Sequence, residues 1–143
     1  MPTEFQKHCE TIEEYYEFTL SYAAQGHGTD KGSAQGRQLR EYLARAVEAM
    51  RGLETSCAAL LTDERLEPVS RYEAFFSVLV RDARDSVAAL ELALAQPAIS
   101  SQLIDNLNAS IHLRALLTDI FLVAEILEAQ QARAATGEEH EVG

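Results

Sequence analysis

Four histidines, two cysteines and a set of carboxylates are the side chains of this sequence that could do chemistry. Metal-binding helical bundles place Glu-x-x-His on two helices with further glutamates facing inward, and this sequence contains no Glu-x-x-His. Glu4 and His8 are spaced to share one helix face, but no second cluster matches them, and His27, His112 and His140 stand alone. The spacing therefore predicts no metal site and no cofactor.

Nucleophilic catalysis would require a nucleophile, a base and a third group that orients the base. Cys9 directly follows His8, and adjacent residues of a helix point about 100° apart, so these two side chains do not form a pair. Cys57 has only Thr55 and Ser56 beside it. An antiparallel pairing of the first two helices would bring both cysteines toward one end, but we expect free thiols that fill apolar positions.

Among the carboxylates, Asp119 comes closest to an apolar setting, between Thr118 and Ile120. No acid falls clearly on an apolar helix face, where burial would raise its pKa. We therefore expect Asp119 to be a helix-surface aspartate. The sequence contains no recognisable catalytic set, which predicts that the protein is not an enzyme.

A glycine-rich stretch, residues 26–36, separates the first two predicted helices, and residues 26–33 read Gly-His-Gly-Thr-Asp-Lys-Gly-Ser. A phosphate-binding loop follows a strand and ends in Gly-Lys-Ser or Gly-Lys-Thr, whereas the order here is Lys-Gly-Ser after a helix. We expect a flexible or irregular linker that binds no nucleotide or other small molecule. Its length makes it a candidate for a peripheral contact.

Two apolar series set the predicted helices. Apolar residues recur at steps of four and three over residues 39–60, and a second series covers residues 69–94. This is the a/d pattern of packed helices, and no alternation typical of a strand competes with it. Glycine and proline breaks then divide the chain into four predicted helices. Their approximate bounds are 3–25, 35–61 and 68–95, with a last helix that starts near 97 or 100 and ends near 135.

We therefore expect one domain, residues 1–136, with a flexible acidic tail at residues 137–143. Its fold class is predicted to be all-α, an up-down-up-down antiparallel four-helix bundle with long helices. The alternative is a pair of long hairpins that complete their core by dimerising. The predicted core face of the first helix consists of Phe5, Cys9, Ile12, Tyr16, Leu20 and Ala23.

The last predicted helix carries more apolar residues than a core stripe needs. Over residues 113–127 they cover nearly the whole circumference, although a surface helix needs a stripe only about 100° wide. Either this helix is central in a monomer, or one side of it contacts a second copy or another protein. Aromatic residues also widen the apolar face of the first helix. The predicted partner-binding residues are Leu113, Leu116, Ile120, Phe121, Leu122 and Val123, together with Tyr15, Phe18 and Tyr22.

A short segment of the last helix resembles a known family. Residues 113–118, Leu-Arg-Ala-Leu-Leu-Thr, continuing to Glu125, are similar to the phosphoacceptor helix of sensor histidine kinases. That family has a histidine two residues before the Leu-Arg pair and a proline two residues after the arginine, where this chain has Ile111 and Leu116. The resemblance implies a histidine phosphotransfer-like protein in which His112 would be the acceptor.

The net charge and the lengths of the apolar runs limit which kinds of partner are expected. The chain of 143 residues has 23 acidic and 12 basic side chains and a formal net charge of −11. Direct nucleic-acid binding is not expected, because phosphates demand a basic patch. The longest apolar run, residues 120–124, is far too short to span a membrane, and no basic-apolar leader begins the chain. We expect a cytoplasmic protein without a membrane contact.

These observations favour a non-enzymatic protein-interaction module, a small acidic helical adaptor, chaperone-like protein or regulator. It would bind a protein partner through apolar helix faces, and a homodimer is one form of this. The alternative is an acidic nucleic-acid mimic that inhibits a basic nucleic-acid-binding protein. Arginines interrupt the acids on one side of that surface, and they are Arg37, Arg40, Arg45 and Arg51.

Overall fold

The computed structural model describes residues 2–137, and over these residues the protein is all-helical, without a strand. The helices are α1 (Glu4–Ala24), α2 (Ala34–Arg51), α3 (Leu53–Asp63), α4 (Val69–Leu94), α5 (Ser101–Ala109) and α6 (Ile111–Thr136). The all-α prediction is confirmed, but two of the four predicted helices are each broken in two. Gly137 ends α6 in a left-handed conformation, and the rest of the predicted tail, 138–143, lies outside the described residues.

Side-chain caps set the starts of α1, α2, α5 and α6. At α1, Thr3 Oγ1 accepts from the backbone N–H of Gln6 (3.1 Å), and Gln6 Oε1 accepts from the backbone N–H of Thr3 (2.7 Å). This reciprocal pair is a capping box. The hydroxyls of Ser33, Ser100 and Ser110 each accept from the backbone N–H three residues further on. The caps satisfy N–H groups that a helix start otherwise leaves unpaired.

The two breaks have different local causes. α2 and α3 meet at Gly52, where an added Cβ would lie 2.5 Å from Nε2 of His8 on α1. Glycine therefore lets α1 approach the break closely. α5 and α6 meet at Ser110, whose extended backbone (φ −62°, ψ 147°) ends one helix while its side chain caps the next. The apolar spacing continues across Gly52, so the pattern alone predicts an unbroken helix there, whereas at Ser110 the buried apolar series steps from Leu107 to Leu113.

The helices contact one another in a cycle. α1 packs against α2 and α5, both α2 and α3 pack against α4, and α4 packs against α6. Arg51 of α2 pairs with Glu91 of α4, and Glu54 of α3 pairs with Arg84 of α4. Residue numbers rise along α2 and α3 as they fall along α4, so α4 runs antiparallel to both.

The core face of α1 differs from the predicted one in its second half. The buried series continues through Tyr15, Thr19 and Tyr22, whereas Leu20 is exposed. The hydroxyl of Tyr15 donates to Oδ1 of Asn108 on α5 (3.1 Å), and the Asn108 amide donates to Oγ1 of Thr19 (3.0 Å). Because these buried polar atoms satisfy one another, α1 can bury Thr19 in place of Leu20.

The glycine-rich segment 26–33 is held against the rest of the molecule. Oδ2 of the buried Asp30 accepts from Nε of Arg40 at 2.6 Å, and its Oδ1 accepts from the backbone N–H of Ile99 at 2.7 Å. The Arg40 guanidinium also donates to the backbone carbonyls of Leu94 and Gln96. These bonds join the α1–α2 connection to the α4–α5 connection.

Gly36 and His27 complete this junction. An added Cβ at Gly36 would lie 1.7 Å from the carbonyl oxygen of Asp30, so only glycine permits the approach. The backbone N–H of His27 donates to the Ser101 hydroxyl (2.8 Å), its carbonyl accepts from the Ser101 N–H (2.8 Å), and its ring stacks on Tyr22. The segment is irregular, one of the two predicted alternatives, and it is anchored to the α4–α5 connection.

Candidate functional site

The nine predicted partner-binding residues divide into three groups by burial. Six of the nine lie in the core of this chain, and they are Leu113, Leu116, Ile120, Val123, Tyr15 and Tyr22. Phe18 is partly buried, and its ring stacks on Tyr42 with 4.4 Å between centroids. Phe121 and Leu122 are exposed. Packing within the chain accounts for the apolar character of the first six, which we reassign to the core, and leaves Phe121 and Leu122 on the surface.

The seam between α4 and α6 brings surface residues of both helices together. The Ser86 hydroxyl of α4 donates to the backbone carbonyl of His112 on α6 (3.0 Å). Asp82 lies one turn before Ser86 on α4, and Asp119 lies two turns after His112 on α6. The carboxyl groups of Asp82 and Asp119 lie within hydrogen-bonding reach of each other. The two helices therefore run antiparallel along this seam.

Exposed apolar side chains continue along the same seam. Val78 lies one turn before Asp82 on α4 and is 37% exposed; on α6, Leu122 and Ile126 lie one and two turns beyond Asp119 and are 44% and 39% exposed. Because the helices are antiparallel, all three lie on the same side of the carboxyl pair. We call this surface the α4/α6 face, and it comprises Val78, Asp82, Asp119, Leu122 and Ile126.

Asp119 is not the surface aspartate that the sequence predicts. It is 7% exposed, and its Oδ2 has no hydrogen-bond partner. Burial, reinforced by the neighbouring carboxyl group of Asp82 and its negative charge, raises the pKa of Asp119 to about 7. The spacing of Asp119 does indicate burial, although the prediction did not use it. Asp119 lies three residues after Leu116 and four before Val123, and both of these are core residues.

The arginines nearest to Asp82 in the sequence point to the other side of α4. Arg84 pairs with Glu54 of α3 at 2.9 Å, and Arg81 lines a groove between α3 and α4. Within residues 2–137, no arginine, lysine or histidine lies within 4.0 Å of either carboxyl group of the pair. Arg114, exposed on α6, lines a surface pocket together with Asp119 but forms no ion pair with it. Within residues 2–137 the carboxyl pair therefore has no cation in direct contact.

A second concave surface separates the first half of α1 from the last half of α6. This open groove has a volume of about 620 Å³, and residues from both helices line it. Its acidic side chains are Glu10, Glu13 and Glu128. Burial, with the neighbouring charges of Glu10 and Glu17, raises the pKa of Glu13. The groove can attract a cationic surface but brings together no catalytic set.

The other candidate chemical groups have structural surroundings. Cys9 and Cys57 are buried and free, as predicted. Burial is the main cause that raises the pKa of each thiol to about 12, so both are protonated, poor nucleophiles at neutral pH. His112 is exposed in the first turn of α6. No group of three or more His, Cys, Asp or Glu side chains within residues 2–137 is arranged to hold a metal ion.

Comparisons with known proteins identify no relative. No protein-family model, no curated protein and no solved structure matches this chain. No helix in the described part is both long and apolar enough to cross a membrane. The function therefore has to be inferred from the surface of the molecule.

Proposed function

We propose that the protein is a non-enzymatic protein-interaction module, a small acidic helical adaptor, chaperone-like protein or regulator. It binds a protein partner through the α4/α6 face. The observation that carries this proposal is the row of exposed apolar side chains, Val78, Leu122 and Ile126, along two packed helices. Such a row with charged borders suits the docking of an amphipathic helix, and contiguous apolar surface marks interaction sites.

The topology that supports this surface is also part of the proposal. We infer that α2 with α3, and α5 with α6, each act as one kinked helix, which gives an up-down-up-down bundle of four helical arms. A second copy of the chain is an alternative occupant of the face. A symmetric dimer would bring two Asp82–Asp119 pairs to one interface, where like charges repel, so we favour a different protein.

Paired surface variants test the proposal. Leu122→Lys combined with Ile126→Lys should remove partner binding while the helical circular dichroism spectrum is unchanged, because both side chains reach solvent. Leu20→Lys is the matched control, since Leu20 is 48% exposed on α1, outside the face. Quantitative affinity capture from cells of the source organism compares the three proteins. Equal capture by wild type and the double variant would contradict the assignment of the face.

A nucleic-acid mimic is the second candidate, and the acidic groove between α1 and α6 is the observation that favours it. Glu10, Glu13, Glu14 and Glu17 also lie on one side of α1, within about two helical turns. The chain should then displace duplex DNA from a basic DNA-binding protein such as a histone, and Glu10→Gln with Glu13→Gln should weaken displacement. Absence of displacement by wild type would exclude the mimic.

A further inference from the structure

The α4/α6 face contains a negative site that the described chain leaves uncompensated. Asp119 is more than nine-tenths buried, and its Oδ2 is enclosed without a hydrogen-bond partner. Its carboxyl group lies beside that of Asp82, which is half-buried. A buried polar atom without a partner is rare in native proteins, and it needs an explanation.

A cation supplied from outside would offset the negative charge of this pair, which it can approach through the half-buried Asp82. Two adjacent carboxyl groups, one of them buried, oppose each other's ionisation, and an ionised carboxylate is costly to bury unless a counter-charge is present. The arginines at positions 81 and 84 contact the α3 side and not this seam. A partner's cation at the seam therefore gains attraction from both acids and displaces no ion pair described here.

The apolar surroundings select the kind of cation. Beyond the pair, Val78 and Leu122 lie on one side. On the other side Ala89 lies on α4, and Ile111, Arg114, Ala115 and Thr118 of α6 line a surface pocket with Asp119. The Arg114 guanidinium makes no ion pair with Asp119. A side chain that enters here needs an apolar stem and a charged end. Arginine fits best, because its planar guanidinium carries five donors and can bond two carboxylates at once.

We propose that the partner segment is an amphipathic helix with one arginine among apolar residues, and that this arginine binds between Asp82 and Asp119. This inference rests on the proposed function, since it names the partner chemistry of the same face. The net charge of −11 favours such a basic partner over a second copy of this acidic chain. Electrostatic attraction also speeds association at low salt.

Selection from a peptide library tests both proposals together. Random peptides about 12 residues long are displayed on phage and selected against the full-length wild-type protein at about pH 8, where most of the pair is ionised. We expect enriched sequences with one arginine flanked by apolar residues at helical spacing. Each enriched peptide is then synthesised with arginine and with norleucine, and affinities are measured by calorimetry.

Variants of the protein assign the contact. The arginine peptide should bind Asp119→Asn on the order of tenfold to a hundredfold more weakly than wild type. The norleucine peptide should bind both proteins equally weakly. Asp85→Asn is the matched control, because Asp85 is an exposed acid on α4, and it should leave the affinity within about twofold.

The outcomes separate the two proposals. Peptides that lose binding in Leu122→Lys but contain no arginine, or ignore Asp119→Asn, would overturn the arginine site and leave the interaction face standing. Peptides that are unaffected by both variants, or a selection that enriches nothing, would count against both. Dimer-sized protein in light scattering, lost in Leu122→Lys, would replace the basic partner by a second copy.

Discussion

At the scale of single residues, Asp119 works against the stability of the fold. Its folded pKa of about 7 lies above the ordinary value of 3.8, so the folded state holds a proton that the unfolded state releases between these pH values. Stability from this group is fully present below about pH 4 and is lost as pH rises through about 7. Such a cost is common at functional sites, which are often less stable than they could be.

Asp119→Asn should therefore raise the free energy of unfolding at about pH 8 by about 1–3 kcal/mol. The amide removes one of two like charges and can donate to the Asp82 carboxylate. Urea denaturation of wild type and variant at about pH 5 and pH 8 measures the effect, and the difference should be smaller at the lower pH. Asp85→Asn, a change at an exposed acid of α4, should alter stability by less than about 0.5 kcal/mol. A variant that is destabilised at pH 8 would contradict the account.

Asp30, where the α1–α2 and α4–α5 connections meet, has a pKa that is lowered, in contrast to that of Asp119. Burial alone would raise its pKa, but the hydrogen bonds from Arg40 and from the backbone N–H of Ile99 outweigh burial and lower it. The stability that Asp30 contributes is therefore present above its ordinary pKa and is lost as pH falls through the lowered value.

Arg40→Ala should lower the free energy of unfolding by about 2–4 kcal/mol, because it leaves the Asp30 carboxylate buried with one cation fewer. Two backbone carbonyls, those of Leu94 and Gln96, lose their donor at the same time. Arg37→Ala on the same helix is the control, and its exposed side chain should contribute less than about 0.5 kcal/mol. Chemical denaturation compares the two. Equal small effects would show that the junction does not stabilise the fold.

The glycine-rich connection gives a third prediction at this scale. Gly36→Ala would place a Cβ 1.7 Å from a backbone oxygen of Asp30, so the backbone must move, at a cost of about 1–3 kcal/mol or more. Gly28→Ala meets open space and has an ordinary backbone, so it should be neutral or slightly stabilising. Thermal unfolding of both variants decides whether the segment is anchored: similar melting temperatures would indicate a free linker.

At the scale of helices, the sequence predicts the helix ends that a capping residue or a proline marks. It misses the two places where a single residue interrupts a long helix. Thr3 and Pro68 mark helix starts that the structure contains. The breaks at Gly52 and Ser110 are not predicted, because each involves a single residue and the apolar spacing continues through the first of them. The burial of Thr19 on α1 is not predicted for another reason. It depends on a hydrogen bond from Asn108, which is distant in the sequence.

Two substitutions separate core from surface at this scale. Leu53→Ala should cost about 2–5 kcal/mol, the range for a fully buried leucine, because Leu53 has no exposed surface. Leu122→Asp should leave a folded protein, because its side chain is 44% exposed. Denaturation curves test the first, and circular dichroism with gel filtration tests the second. Unfolding of Leu122→Asp would place Leu122 in the core and remove the α4/α6 face.

At the scale of the whole molecule, the excess of apolar residues on the last predicted helix has two explanations in the structure. Most of these residues are buried within the chain, and Leu122 and Ile126 belong to a row that also includes Val78 of α4. The sequence could indicate Leu122, but the contribution of α4 and the position of Asp82 depend on the antiparallel pairing of two distant segments. The sequence therefore predicts only the α6 part of the α4/α6 face.

The overall acidity acts at the same scale. The field of an acidic molecule attracts basic proteins and repels further copies of itself, so we expect the purified chain to be monomeric near its 15.8 kDa mass. Light scattering coupled to gel filtration measures this. Twice that mass would favour a homodimer as the occupant of the α4/α6 face.

The central claim is that a protein partner contacts the α4/α6 face, and site-specific photo-cross-linking in cells of the source organism tests it most directly. A photoreactive amino acid replaces Leu122 in one protein and the equally exposed Leu20 in another. The account predicts a discrete cross-linked adduct from position 122, reduced by Asp119→Asn, and none from position 20. Absence of an adduct at position 122, or the same adduct from both positions, would contradict it.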